Sequence, residues 1–300
     1  MDRQLAIRLA AFDWLGQQTA VHGDVFPRTI LEKGFIFESE RVSLIAPQGI
    51  FKPKMLDLPL SITTAPRGPY DDSFDGQGFL IYKYRGSDIN HRDNAGLREA
   101  MQEKTPLVYL HGIVPGKYLA TWPVFIVGDD TDAMEFRVAV DEVRFLQPSE
   151  GEALETMEAK EIRRAYITSR VRIRLHQRSF REKVLEAYQT QCALCRLRHA
   201  ELLDAAHIIP DSHPQDDPKI SNGIALCKFH HAAYDSLILA INPDYVVLIR
   251  KDVLLERDGP MLQHGLKELH DTKIVLPKHK MEWPDRDLLD MRYQQFNRAA

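Results

Sequence analysis

Apolar residues recur at helical spacing over residues 2–20, at Leu5, Ile7, Leu9, Ala10, Phe12, Trp14 and Leu15. This predicts an amphipathic helix that stops near Gly16. From about residue 21 the period shortens. Runs at 34–38, 41–45, 78–85, 107–113, 123–127 and 136–140 predict strands, punctuated by Gly, Pro, Asp and Asn in APQG, APRGPYDD, FDGQG, YRGSD and VPGKY. One helical stretch at 94–103 interrupts them. Residues 146–169 are charged and weakly apolar and predict a linker. Arg170–Leu175 alternates Arg with Val171, Ile173 and Leu175, a strand period. Phe180, Val184, Leu185 and Tyr188 then form a helical stripe. Beyond 240 the pattern predicts a strand at 244–253, a helix at 259–270 and a closing helix at 283–296, with Pro277 and Pro284 as breaks.

These elements divide the 300 residues into a strand-rich part, 1–145, the linker, and a second part, 170–300. The class is α+β. With 44% apolar and 27% charged residues the composition is that of a globular protein, and no apolar run is long enough to span a bilayer. The start lacks the features of a signal peptide, so a cytoplasmic location is the default expectation. A net charge of −4 argues against indiscriminate coating of nucleic acid but leaves room for a local basic face. Residues 163–181 hold such a face. Arg170, Arg172, Arg174 and Arg178 are its candidate nucleic-acid contacts, with a solvated, salt-bridged surface as the equal alternative.

The three cysteines lie within one short window. Cys192 and Cys195 form a Cys-x2-Cys pair, and Cys227 and His230 form a Cys-x2-His pair. Two such pairs suit a tetrahedral zinc ion with no open position, and therefore a structural one. His230 and His231 are adjacent, so on a helix they point about 100° apart and cannot easily serve one site. Asp235 follows His231 by one helical turn and shares its face, a spacing suited to gripping one hard cation. His207 ends a β-prone run before Pro210, and Asn222 sits in an Asn-Gly step.

In order, C-x2-C, A-A-H-I-I-P, N-G-I-A-L-C and H-H-x3-D resemble the HNH (ββα-metal) endonucleases over about residues 170–240. The resemblance implies His207 as the general base, Asn222 as the residue that holds the loop and orients that base, and His231 with Asp235 as ligands of a catalytic Mg²⁺ or Mn²⁺. The acid that many of these enzymes place just before the base is missing, since residue 206 is Ala. Asp204 is nearby but reads as plain surface.

The domain order, a strand-rich region followed by an HNH module, is similar to that of the McrA-like modification-dependent restriction enzymes. Their readers are SRA-like, PUA-related curved sheets or barrels that flip a modified cytosine. Tyr70, Asp72, Tyr82, Tyr84 and Asp88 are the residues here that could stack on and read a base, with core aromatics and turn acids as the competing reading. The expected partner is double-stranded DNA, modified DNA included. Cutting both strands with one site per chain would call for a homodimer. The competing reading of the whole chain is a non-catalytic zinc-stabilised module that binds DNA or a protein.

Overall fold

A computed structural model describes residues 2–66, 79–140, 173–210, 219–257 and 259–299. Tyr70, Asp72, Arg170, Arg172 and the 146–169 linker lie outside the described residues. The chain divides into two compact units, Met1–Leu175 and His176–Ala300. Helices and strands mix in both, and the first carries a curled half-barrel sheet. No helix among the described residues is long and apolar enough to cross a membrane.

Unit 1 opens with α1 (Arg3–His22), capped by the Asp2 carboxylate, which accepts from the Gln4 N–H. The helix runs through Gly16, the predicted stop, because that glycine faces open space and costs only its propensity, about 1 kcal/mol. Ile7, Ala11 and Leu15, spaced by four, bury one stripe. Gly23, at φ 75°, ends the helix in a backbone region that favours glycine. Arg8 is buried on the same side, and its guanidinium donates to the carbonyls of Leu58, Pro59 and Pro106. Burial lowers its pKa to about 10, against the pull of Glu103 and Asp2.

Strands β1 (Val25–Pro27), β4 (Ile50–Phe51), β5 (Ser61–Thr64), β6 (Leu80–Lys83), β7 (Leu107–Val114), β8 (Lys117–Asp130) and β9 (Glu135–Val140) form one sheet. Its order is β4-β5-β7-β8-β9-β6, with β1 also on β8. Among the described strands only β5 and β7 pair parallel. Strand β7 is buried on both faces. Val108 and Leu110 meet the α1 side, while Leu107 and Tyr109 join Tyr82, Tyr84 and Phe136 on the other. The long β8 extends beyond the predicted 123–127. Its ladder with β7 shifts register around Pro123, which cannot donate, so a proline that read as a boundary is an interior irregularity. Short α2 (Arg28–Lys33), the hairpin β2–β3 (Phe35–Phe37, Glu40–Val42) and α3 (Arg92–Gln102) complete the unit.

Helix α4 covers residues 173–187, so Ile173 and Leu175 are helical and not the end of a strand. The apolar spacing from Leu175 through Phe180, Val184 and Tyr188 decides this, since three alternating residues also fit a helix. In unit 2, β10 (Leu203–His207) and β11 (Gly223–Cys227) pair antiparallel, with His207 opposite Gly223 and Leu203 opposite Cys227. Helix α5 (Lys228–Asp235) follows directly, giving a ββα unit. A second hairpin, β12–β13 (Leu239–Ile241, Val247–Ile249), comes next. The predicted strand at 244–253 is cut short, because α6 (Lys251–Leu255) begins after Arg250. Helices α7 (Pro260–Gly265) and α8 (Arg286–Ala299) close the chain. The Val275 N–H bonds the Ala193 carbonyl, fastening the late segment to the Cys-x2-Cys turn.

Candidate active site and metal centre

Cys192, Cys195, Cys227 and His230 gather with all four ligand atoms within 4.8 Å of one another. The turn after α4 presents Cys192 and Cys195, the end of β11 presents Cys227, and the first turn of α5 presents His230. His230 Nδ1 lies 3.5 Å from Cys192 Sγ and 3.2 Å from Cys227 Sγ, and Cys195 Sγ is 4.0 Å from Cys227 Sγ. Metal–sulfur bonds of about 2.3 Å give tetrahedral edges of about 3.5–3.8 Å, so the cluster has the size of a zinc cage. His230 Nε2 is 2.8 Å from the Gly265 carbonyl. A carbonyl only accepts, so Nε2 carries the proton and Nδ1 is left with its lone pair toward the sulfurs. Backbone N–H groups of Cys195, Leu197 and His230 donate toward the sulfurs of Cys192, Cys195 and Cys227 respectively. Hydrogen bonds from Cys195 and Cys227 draw the Cys192 thiol well below its ordinary range. Without a metal, burial disfavours charge on His230, but Cys192 and Cys227 outweigh it and raise its pKa to about 10, so a metal taking the Nδ1 lone pair displaces a proton from that atom. The donor set and spacing therefore fit zinc held by Cys192, Cys195, Cys227 and His230.

His207 ends β10 half-buried, its ring stacked on Phe180 of α4 at 3.9 Å between centroids and 11° between planes. Gly223, opposite it, makes this possible. A Cβ there would come within 2.5 Å of Val184 and 2.7 Å of Phe180. Just beyond His207, Asn222 grips the chain. Its Oδ1 accepts from the Ile209 N–H, its Nδ2 donates to the Ile209 carbonyl, and its own carbonyl accepts from the Ile208 N–H.

His231 faces away from the cysteines. Its Nε2 is 3.3 Å from Asp235 Oδ2, and its Nδ1 is 3.6 Å from Asp204 Oδ2. Asp204 first, with burial opposing and Asp235 assisting, raises the His231 pKa. Burial pushes the Asp204 carboxyl up, yet His231, the Ala205 N–H and Arg181 together leave it lowered. Asp204 is thus not the plain surface carboxylate that the sequence suggested. The signal was its place two residues before Ala206, which alternation puts on the same strand face. Ala206 itself is fully buried.

In unit 1, Tyr82 of β6 and Tyr84, one residue past its end, both line a cavity of about 320 Å³ with Arg28, Thr63, Thr64 and Tyr118. Both rings belong largely to the core. Arg98 clamps Tyr84, donating to its hydroxyl at 3.0 Å and to Asp129 at 2.7 Å, while the Tyr84 hydroxyl itself meets Asp129. Asp88 is outside the cavity lining. Its carboxylate accepts from the Asn90 N–H in the exposed turn before α3. Arg174 is bound to the buried Asp24 carboxylate at 2.6 Å, and Arg178 sits half-buried on α4.

Residues 192–242 match the HNH_2 family, described as HNH endonuclease, so the chain carries an HNH endonuclease domain. No curated protein sequence matches the chain. Among solved structures, it aligns with the modification dependent TagI restriction endonuclease at 16% identity, over 79% of this chain and 81% of that one, with a TM-score of 0.28. The SUVH5 SRA domain bound to hemi-methylated CG DNA aligns at 20% identity over 31% and 71%, with a TM-score of 0.24. The phosphorothioation-dependent restriction endonuclease ScoMcrA aligns at 18% identity over 58% and 49%, with a TM-score of 0.21. At TM-scores this low, none of these alignments establishes a shared fold.

Proposed function

We propose that this protein is a metal-dependent endonuclease that hydrolyses DNA phosphodiester bonds in restriction, with unit 1 reading modified cytosine. The observation that carries the reading is a ββα unit, fixed by a Cys3His cage, that bears His207, Asn222 and His231 in the order of an HNH site. His207, as a neutral imidazole, takes the proton from the attacking water. Phe180 fixes the plane of its ring, and Asn222 holds the chain immediately after it. His231 and Asp235 would hold a Mg²⁺ or Mn²⁺ ion. Their 3.3 Å separation is close to the roughly 3 Å edge of an octahedral site with ligands at about 2.1 Å. Such an ion supplies neutralisation of charge on the phosphate and the leaving oxygen. The zinc is structural. Arg170, Arg172, Arg174 and Arg178 meet the DNA backbone, and the cavity beside Tyr82 and Tyr84 receives the base, with Tyr70 and Asp72 as further contacts.

The test is cleavage of plasmid and phage DNA, plain and cytosine-modified, with Mg²⁺ or Mn²⁺. Cleavage of modified DNA is expected, abolished by His207→Ala while zinc content and folding persist. Cleavage that survives His207→Ala overturns the assignment of the base. A second reading draws on Ala206, buried where an acid is expected: a non-catalytic zinc module that binds DNA or a protein. DNA binding with no cleavage of any substrate would establish it.

A further inference from the structure

We infer that Asp204 is a positioning residue of the hydrolytic site, holding His231 from its Nδ1 side so that Nε2 is the nitrogen turned toward Asp235 and the cation. This rests on the nuclease reading above and answers a question it leaves open, namely what stands in for the acid missing at residue 206.

Three observations place Asp204 in this role. Both nitrogens of His231 are addressed by carboxylates, Asp204 at Nδ1 and Asp235 at Nε2. A ring so flanked has its two ends assigned, one to each carboxylate. Asp235, on the same helix and with its side chain 60% exposed against 43% for Asp204, is the more open of the two to a hydrated cation. Asp204 is itself held. Arg181 Nε lies 3.6 Å from Asp204 Oδ1, and Arg181 is anchored by donating to the Ala200 and Leu203 carbonyls at 3.0 and 2.9 Å. The chain Arg181–Asp204–His231 thus runs from α4 through β10 to α5 as two ion-pair contacts of 3.6 Å each. Finally, an acid at 206 would have to be buried completely, since Ala206 is sealed in the core of unit 2. The half-buried carboxylate two residues upstream on the same strand face reaches His231 without the cost of complete burial.

A carboxylate behind a ligating histidine fixes its tautomer and raises its basicity, and losing one typically weakens metal binding about 10–100-fold. Mn²⁺ binding to the zinc-loaded protein, followed by electron paramagnetic resonance, is the assay. Asp204→Asn is expected to weaken Mn²⁺ by about tenfold or more, and Asp204→Glu to recover most of that loss, with zinc content unchanged in both. Long-range ¹H–¹⁵N correlation of the Mg²⁺-saturated protein is expected to show His231 protonated at Nδ1 and to lose that signature in Asp204→Asn. His231→Ala separates the two layers of the reasoning. If it leaves Mn²⁺ affinity unchanged, the cation site itself is misplaced. If it abolishes Mn²⁺ binding while Asp204→Asn binds as tightly as wild type, the role of Asp204 is overturned and the site stands.

Discussion

Gly223→Ala is the sharpest probe of the junction between α4 and the β10–β11 hairpin. The added methyl would lie 2.5 Å from a Val184 methyl and 2.7 Å from the tip of the Phe180 ring, where ordinary contact begins near 3.4 Å. Val184 is fully buried and Phe180 nearly so, so neither can swing into solvent. Overpacking of this kind costs about 1–3 kcal/mol, and two simultaneous overlaps of this depth put Gly223→Ala near the upper end, about 3 kcal/mol. For a unit of this size that corresponds to a fall in Tm of about 10 °C, read by calorimetry. Because Phe180 is the ring on which His207 stacks, cleavage should fall further than stability alone explains at a temperature where the variant is fully folded. Val184→Ala removes the nearer obstacle. On that background, adding Ala at 223 should cost at least about 1 kcal/mol less, a coupling of the size seen between touching residues. A Gly223→Ala protein as stable as wild type, or strict additivity in the double variant, would refute the packing argument.

Removing the staple should be more drastic. Cys192→Ser is expected to lose stoichiometric zinc by elemental analysis and the cooperative unfolding of unit 2, since structural zinc contributes about 10–16 kcal/mol of apparent binding free energy in small zinc modules. In unit 1, Arg8→Met leaves the carbonyls of Leu58, Pro59 and Pro106 without their buried donor, and a loss of about 3 kcal/mol is expected in urea unfolding. A loss under 0.5 kcal/mol would show that those carbonyls find water. His231 carries a pH signature in zinc-loaded protein without Mg²⁺. Its pKa is raised above 6.5, chiefly by Asp204. Its contribution to stability is therefore fully present below 6.5 and lost as pH rises through the raised value. The Tm gap between wild type and His231→Gln should shrink from pH 6 to alkaline pH, and a gap that widened would have the wrong sign.

What could be read from the sequence follows the range of the interactions involved. The Cys3His cluster was legible because Cys-x2-Cys and Cys-x2-His each encode a local turn, and His231 and Asp235 share a face by helical spacing alone. Asp204 was not, because its partner lies 27 residues on and only the strand-to-helix approach joins them. In unit 1 the longer apolar runs announced β6, β7 and β9, with ends misjudged by a residue or two. Strands β1, β4 and β5 went unseen. They are two to four residues long and owe their conformation to the strands they pair with. Gly16 and Pro123 misled in the same way. Each is a breaker by local rule, overridden by the buried stripe of α1 in one case and by an interrupted ladder in the other.

The hydrogen bond from His230 to the Gly265 carbonyl sets a lower limit on how much of this chain works as a nuclease. The stretch that matches the HNH family stops at residue 242, yet the group that dictates which histidine nitrogen faces the cysteines sits more than twenty residues later, and the Cys-x2-Cys turn is tied down later still, by Val275. Cut free at residue 242, the hairpin and helix would keep every ligand and lose the outer supports that aim them. The tail after the motif therefore belongs with the Cys3His cluster and travels with it in any graft or domain exchange.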